Sequence, residues 1–215
     1  MDKIYPDSKV EIDGKVAQYY EQLLNIVTFG RYRALINDVI RRMEIKNDEQ
    51  IIDLGAGTGY NACFMAKYLS DKGKVLGLDI GDTMIARFKE KCKNYPELEI
   101  KKMRIDKSLP FEEEFDKAFI SFVIHGLPHS SRKKVIHNVM QVLKTGGIFY
   151  ILDYGEFDYK ELPFYLRIPF EKIECKYAFD YIKRPWKKIL KDSGFEEIEA
   201  INYYNGFVRL LMARK

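Results

Sequence analysis

Ile51-Ile-Asp-Leu-Gly-Ala-Gly-Thr-Gly-Tyr60 combines a short apolar run with three alternate glycines. The apolar run is typical of a buried parallel strand. The glycines would let the backbone turn sharply and approach a ligand closely. A helix beginning near residue 60 would present its unpaired N–H groups at this turn. Ligands in open α/β sheets bind beyond the carboxyl ends of the strands, so the stretch predicts a ligand site.

The flanking sequence alternates between strand-like and helix-like segments from residue 50 to 153. Strands are predicted at 50–54, 74–79, 98–103, 115–122 and 147–153, with helices at 60–70, at 83–93 and from near Ser130. Two closing strands, 196–203 and 206–213, flank an Asn-Gly hairpin signal. This order predicts an α/β fold, Rossmann-like and doubly wound: a mostly parallel seven-stranded sheet with an antiparallel last strand and N-terminal helices.

The chain length of 215 residues suits a single domain. We expect four parts: a helical cap at 1–45, a ligand-binding core at 46–153, a substrate lid at 154–183 and a closing helix and hairpin at 184–215. The lid is predicted because Pro163–Phe170 should interrupt regular structure. The tyrosines that cluster late in the chain indicate either ordinary packing or an aromatic wall around an acceptor.

Net charge and apolar run lengths limit the possible partners and locations. A net charge of +4 is too small to predict a nucleic-acid partner. No apolar run approaches the length of a membrane-spanning helix, and Met1–Pro6 does not resemble a signal peptide, so we expect a cytoplasmic location. We expect the chain to be a monomer or a homodimer. The basic run 183–191 indicates either the solvated face of an amphipathic helix or peripheral contact with anionic lipid.

The three cysteines, Cys63, Cys92 and Cys175, are odd in number and far apart in sequence. They form no CxxC pair, so no metal site or redox pair is predicted. We expect reduced and mostly buried thiols.

The residues around the glycine turn discriminate between cofactors. A dinucleotide fingerprint would place its third glycine at position 60, which is Tyr60 here. Asp53, at the strand end, would repel a pyrophosphate but suits an ammonium or sulfonium group. Asp79 lies 24 positions beyond Gly55 and could accept hydrogen bonds from both ribose hydroxyls. This combination favours S-adenosylmethionine over a dinucleotide.

With these residues identified, the chain resembles the class I S-adenosylmethionine-dependent methyltransferases, and in particular the ubiquinone/menaquinone biosynthesis C-methyltransferase group. The resemblance covers nearly the whole chain. It is carried by Asp53-Leu-Gly-Ala-Gly-Thr-Gly59, Leu109-Pro-Phe-Glu-Glu-Glu-Phe-Asp116, Ser121-Phe-Val-Ile-His-Gly-Leu127, Val142-Leu-Lys-Thr-Gly-Gly147, the region from Tyr20 to Arg33, and the C-terminal stretch from Gly206.

The resemblance implies a set of cofactor contacts. Gly55, Gly57 and Gly59 would cradle the methionine part, and Asp79 would hold the ribose. Ile80 would cover the adenine, and Ser121 and Phe122 would line the cofactor. Tyr20 would close over the cofactor. The family usually binds the adenine amino group with an Asp at the position of Ile105, whereas this sequence has Asp106 one residue later.

Methyl transfer is an in-line displacement that depends chiefly on positioning. A phenolic acceptor would also need a base with a pKa near 7. His125, after the fourth strand, is the leading candidate, although it could instead be a loop histidine bonded to backbone. Tyr20 and Arg33 are further candidates for acid–base or orienting roles.

Three functions remain open on the sequence. The first is methylation of a small hydrophobic or aromatic acceptor, which includes quinol-type C-methylation. The second is N- or O-methylation of an amine, a phospholipid headgroup or another metabolite. The third is a non-catalytic S-adenosylmethionine-binding module, which would bind the cofactor without turning over any acceptor.

Overall fold

A computed structural model describes Tyr5, Asp7, Ser8 and residues 30–215. Tyr20 and the first helix predicted within 10–45 lie outside these residues. Among the described residues, no helix has the length and apolar character needed to cross a membrane.

The described elements follow the predicted alternation. In chain order they are α1 (Tyr32–Arg42), β1 (Gln50–Leu54), α2 (Tyr60–Met65), β2 (Lys74–Asp79), α3 (Asp82–Lys91), β3 (Leu98–Lys102), β4 (Phe115–Ser121), α4 (His129–Val142), β5 (Leu143–Tyr154), α5 (Phe164–Ile173), α6 (Lys176–Tyr181), α7 (Trp186–Asp192), β6 (Glu196–Tyr203) and β7 (Val208–Arg214).

The strands form one seven-stranded sheet in the order β3-β2-β1-β4-β5-β7-β6. β2 pairs in parallel with both β1 and β3, whereas β7 pairs antiparallel with β5 and β6. The predicted fold class, including the antiparallel last strand, is therefore confirmed. The hairpin turns where predicted, because Asn205 and Gly206 both adopt left-handed backbone conformations.

The described chain divides into two compact units. The N-terminal unit comprises residues 30–105 and 115–119. The C-terminal unit comprises Tyr5, Asp7, Ser8, 106–114 and 120–215. Each unit has its own apolar core: Ile36, Ile51, Ile52 and Phe88 are buried in the first, and Tyr181, Trp186, Phe149 and Phe195 in the second.

The expectation that Pro163–Phe170 interrupts regular structure was wrong, because α5 begins directly after Pro163. A proline is well tolerated just before a helix. Pro169 lies inside α5, where its missing N–H removes one helical hydrogen bond without ending this short helix. Helix α5 exposes apolar side chains, among them Phe164, Tyr165 and Ile168.

Candidate functional site

The glycine turn of the N-terminal unit is fixed to the end of β2. Gly55, Gly57 and Gly59 have φ angles of 79°, 55° and 78°, in the left-handed region that favours glycine. The N–H of Gly55 donates to the carbonyl oxygen of Leu78 at 2.8 Å. A Cβ atom on Gly59 would lie 2.7 Å from Cys92 Sγ. The third glycine is therefore required both by its conformation and by the space around it.

Asp79 lies against the glycine turn. Its Oδ2 accepts the N–H of Gly57 at 2.8 Å, and its Oδ1 accepts the N–H of Gly81 at 2.8 Å. Each carboxylate oxygen can accept more than one hydrogen bond, so Asp79 can also receive hydroxyl groups from a ligand. Ile80 follows it and is half-buried.

The carboxyl group of Asp53 is buried, and one of its oxygens lacks a hydrogen-bond donor within the described residues. The side chain is 1% exposed, and the oxygen in question is Oδ2. Burial, and then the negative charge of Asp79, raise the pKa of Asp53 from 3.8 to about 7. In the first turn of α2, Asn61 Oδ1 is likewise buried and unpartnered in this part of the chain. Two orphaned acceptors beside a glycine turn fit a ligand that carries an ammonium group.

The other predicted cofactor contacts are divided between the two units. Ile105 is buried in the N-terminal unit. In the C-terminal unit, Asp106 is buried and accepts the hydroxyl of Ser131 at 3.1 Å. Ser121 Oγ is buried, with no partner among the described residues. Phe122 has a φ of 52°, an unusual conformation for a non-glycine residue and one that clusters at functional sites.

His125 lies between two carboxylates in the C-terminal unit. Its Nδ1 is 2.7 Å from Asp153 Oδ1, and its Nε2 is 3.4 Å from Glu174 Oε2. The hydroxyl of Tyr154 donates to Glu174 Oε1 at 2.8 Å. The ring of His125 thus contacts side-chain carboxylates, and not the backbone as in the alternative that the sequence left open. Strand β5 provides Asp153 and Tyr154, and Glu174 follows α5.

The two carboxylates determine the charge of His125. Burial opposes the charged form, but the charges of Asp153 and Glu174 outweigh it and hold the pKa of His125 well above 6.5. Hydrogen bonds from the ring to both carboxylates act in the same direction. The two carboxylates therefore favour the charged form of the ring.

Arg132 is an organising residue that the sequence analysis missed. Its side chain is fully buried. It donates to the carbonyl oxygens of Ile124 at 3.0 Å, His125 at 2.8 Å and Tyr177 at 2.5 Å. It also pairs with the carboxylate of Asp180 at 2.7 Å. Arg132 therefore fixes the turn that carries His125 to helix α6. Its sequence neighbours Lys133 and Lys134 make it look like part of a solvated charge run, so no local signal identifies it.

The remaining sequence candidates are Arg33, Tyr20 and the basic run 183–191. Arg33 is exposed on α1, and Tyr20 lies outside the described residues. Within 183–191, Trp186 and Leu190 are fully buried, while Lys187 and Lys188 are exposed. This arrangement is that of an amphipathic helix with an outward basic face.

Comparison with known proteins identifies the family. The ubiE/COQ5 methyltransferase family model matches residues 5–176. The ubiquinone/menaquinone biosynthesis C-methyltransferase UbiE of Francisella tularensis subsp. novicida is 27% identical over 222 residues, which cover 93% of this chain and 88% of that relative. The fold matches that of a S-adenosylmethionine-dependent methyltransferase from Aquifex aeolicus, with a TM-score of 0.70 and 18% identity over 95% of this chain and 99% of that one.

A more distant fold match is the phosphoethanolamine N-methyltransferase 2 of Haemonchus contortus, solved with phosphomonomethylethanolamine and S-adenosylhomocysteine. Its TM-score is 0.68 at 17% identity, over 85% of this chain and 52% of that one. Because the family model spans most of the sequence, the chain belongs to the ubiE/COQ5 methyltransferase family and is a S-adenosylmethionine-dependent methyltransferase.

Proposed function

We propose that this enzyme methylates a ring carbon of a small, quinol-type aromatic acceptor. The observation that carries the proposal is the position of the His125 ring between the carboxylates of Asp153 and Glu174, with aromatic rings at its edge. The ring centroids of Tyr154 and Tyr181 lie 5.0 and 6.5 Å from that of His125, both edge-on. A buried positive charge beside aromatic surfaces suits an aromatic ring that carries a phenolate oxygen. The name of the curated relatives, ubiquinone/menaquinone biosynthesis C-methyltransferase, supports the proposal.

The cofactor, when bound, supplies the activated methyl group. We assign Asp53 to the ammonium of its methionine part, because Asp53 presents an orphaned buried oxygen. Asp79 would accept the ribose hydroxyls, and Gly55, Gly57 and Gly59 would let the cofactor approach the backbone closely. By family resemblance, a further set of residues would line the adenine and the rest of the cofactor: Ile80, Ile105, Asp106, Ser121 and Phe122.

The geometry distinguishes the two ring nitrogens of His125. Nδ1 is held at 2.7 Å by Asp153, which fixes the orientation of the ring. Nε2 is only loosely paired with Glu174, at 3.4 Å. Nε2 is therefore the nitrogen we assign to the acceptor oxygen. As an imidazolium it would stabilise the phenolate that makes the neighbouring ring carbon nucleophilic, and above its pKa it would accept the phenolic proton.

Glu174→Gln is expected to move the pH dependence of methyl transfer to lower pH. The substitution removes one of the two charges that raise the pKa of His125, so the ring loses its proton at lower pH. The measurement is kcat/KM between pH 5 and 10 for both proteins. Tyr154→Phe is the matched control, since it removes the hydrogen bond to Glu174 but keeps the carboxylate. An unchanged profile, or a shift to higher pH, would remove His125 from the titrating step.

The acceptor class is tested with labelled methyl groups. The protein would be incubated with methyl-tritiated S-adenosylmethionine and either a demethylated quinol with a short isoprenoid chain, phosphoethanolamine or catechol. We expect label on a ring carbon of the quinol alone, located by fragmentation of the product. Label on the nitrogen or oxygen of the other acceptors would establish the N- or O-methyltransferase alternative. Cofactor binding without turnover of any acceptor would establish the non-catalytic module.

We further propose peripheral contact with anionic membranes. Helix α5 exposes four large apolar side chains, with Phe164 69% exposed, and the basic run 183–191 offers exposed lysines in the same unit. An exposed apolar surface combined with basic residues suits the interface of an anionic bilayer.

Cosedimentation with phosphatidylglycerol vesicles tests the membrane proposal. We expect binding that falls severalfold in Phe164→Ser and, at low salt, in the double variant Lys187→Glu/Lys188→Glu, because the first removes apolar area and the second removes charge. Phosphatidylcholine vesicles are the neutral control. Equal recovery of the wild type with neutral and anionic vesicles, or equal recovery of all variants, would contradict the proposal.

A further inference from the structure

Two of the three cysteines meet in the N-terminal unit. Cys63 on α2 and Cys92, directly after α3, are separated by 29 positions in the sequence, but their Sγ atoms are 3.2 Å apart. Cys92 is buried, and Cys63 is partly exposed. The sequence contains no CxxC spacing, so no redox pair is predicted from it. The fold brings the two thiols together where the sequence shows no motif.

The cysteine pair borders the third glycine of the cofactor turn. Cys92 Sγ lies 3.8 Å from the carbonyl oxygen of Gly59, and the N–H of Cys63 donates to the same carbonyl at 3.0 Å. Helix α2 follows the glycine turn, and α3 follows Asp79. A bond between the two sulfurs would therefore join the helices that extend from both halves of the proposed cofactor site.

We propose that Cys63 and Cys92 are a redox modification site, at which hydrogen peroxide forms a reversible disulfide that weakens cofactor binding. The effect on binding rests on the proposed cofactor site. Cys63 Sγ attacks the peroxide, the O–O bond breaks, and the products are a sulfenic acid on Cys63 and water. Cys92 Sγ then attacks Cys63 Sγ, and the hydroxide that leaves takes the thiol proton of Cys92 as water. Two thiols are oxidised to one disulfide, and one peroxide is reduced to two waters.

The surroundings of each thiol determine its role in these two reaction steps. Cys63 is partly exposed, so peroxide can reach it. Cys92 is buried and its Sγ lies 3.2 Å from that of Cys63, so it is placed to attack the sulfenic acid and is shielded from direct oxidation. Cys175 is buried in the C-terminal unit and has no part in the pair.

Disulfide formation would disturb the cofactor turn because the surroundings of Gly59 are crowded. A Cβ on Gly59 would lie 2.7 Å from Cys92 Sγ and 2.8 Å from Phe88 Cδ2. The sulfurs must move together to bond, and this movement shifts Cys92 Sγ, which lies 3.8 Å from the carbonyl oxygen of Gly59. The same turn carries the 2.8 Å hydrogen bond between Gly57 and Asp79, which orients the proposed ribose acceptor.

Mass measurement of the full chain tests the disulfide. Reduced protein is treated with hydrogen peroxide, its free thiols are alkylated, and its peptides are analysed with and without dithiothreitol. We expect a linked peptide pair containing Cys63 and Cys92, with Cys175 still alkylated, and recovery of all three thiols on reduction. Alkylation of both Cys63 and Cys92 after peroxide treatment, or their irreversible oxidation, would overturn the proposal.

Calorimetric titration with S-adenosylhomocysteine tests the consequence. Oxidised wild type is expected to bind at least severalfold more weakly than reduced wild type. Cys63→Ser should bind equally before and after peroxide, while Cys175→Ser should respond as wild type does. Equal affinity of the reduced and oxidised wild type would overturn only the proposed effect on cofactor binding, and not the disulfide itself. Absence of binding in both forms would overturn the cofactor site itself, while the mass measurement still decides whether the disulfide forms.

Discussion

Asp53→Asn is expected to stabilise the cofactor-free protein by about 4 kcal/mol at pH 8 while weakening its binding of S-adenosylmethionine. The carboxyl group is buried, one oxygen has no partner in the described chain, and its pKa is raised to about 7. Ionising it in the folded state is therefore costly, at about 1.4 kcal/mol for each unit of pKa shift. A neutral amide of the same shape avoids that cost.

The sign of this effect follows from the raised pKa. The unfolded chain loses the Asp53 proton near pH 3.8, whereas the folded protein keeps it until about pH 7. The contribution of Asp53 to the free energy of unfolding of the wild type is fully present below pH 3.8 and is lost as the pH rises to about 7. The advantage of the amide should therefore be small at pH 4, grow between pH 4 and 7, and level off above pH 7.

Cofactor binding should change in the opposite direction. A carboxylate that receives an ammonium group contributes about 1.5–3 kcal/mol, so the variant should bind about 10- to 100-fold more weakly. Urea unfolding at several pH values and calorimetric titration measure the two effects.

Asp79→Asn is the matched control for Asp53→Asn. Asp79 oxygens already accept the N–H groups of Gly57 and Gly81. An amide offers only one acceptor oxygen, so this variant should lose stability as well as affinity. If Asp53→Asn instead proves less stable than wild type at pH 8, or binds the cofactor equally well, Asp53 does not have the role assigned to it.

Arg132→Met is expected to lower the free energy of unfolding by about 3–5 kcal/mol. The guanidinium is fully buried and serves three carbonyl oxygens and Asp180. Removing it takes one donor from each of these acceptors inside the protein, although Asp180 keeps its hydrogen bonds from Arg184. The loss costs more than a surface ion pair contributes. The His125 turn should loosen as well, because Arg132 binds two of its carbonyl oxygens.

Urea unfolding measures the loss, and Lys133→Met is the matched control. Lys133 is the exposed neighbour on the same helix, so its replacement should change stability by no more than about 0.5 kcal/mol. Arg132→Lys should be intermediate, since an ammonium lacks the planar fork that reaches several acceptors. A loss below about 1 kcal/mol in Arg132→Met would mean that the buried network does not hold this region together.

The features that the sequence predicts are those with a local signature. Alternating apolar segments predict the sheet, and Asn205-Gly206 predicts the closing hairpin, because both depend on neighbouring residues. The glycine turn and Asp79 also follow a short spacing, and the structure brings Gly57 and Asp79 into hydrogen-bond contact.

The missed features depend on contacts between distant segments. Arg132 resembles its solvated neighbours until the fold buries it against the His125 turn. The two carboxylates that raise the pKa of His125 come from β5 and from the residue after α5. The sequence therefore identifies the histidine but not the groups that raise its pKa. Helix α5 was missed because Pro163–Phe170 was expected to interrupt regular structure, although Pro163 lies just before the helix, where prolines are tolerated.

Calorimetric titration of the purified protein with S-adenosylmethionine and S-adenosylhomocysteine, with Asp79→Ala alongside, tests the central claim most directly. The account predicts micromolar binding of both ligands by wild type and clearly weaker binding by the variant, because Asp79 bridges the glycine turn and the proposed ribose site. Folded wild type that binds neither ligand, or an Asp79→Ala variant that binds as tightly as wild type, would contradict the assignment of the site.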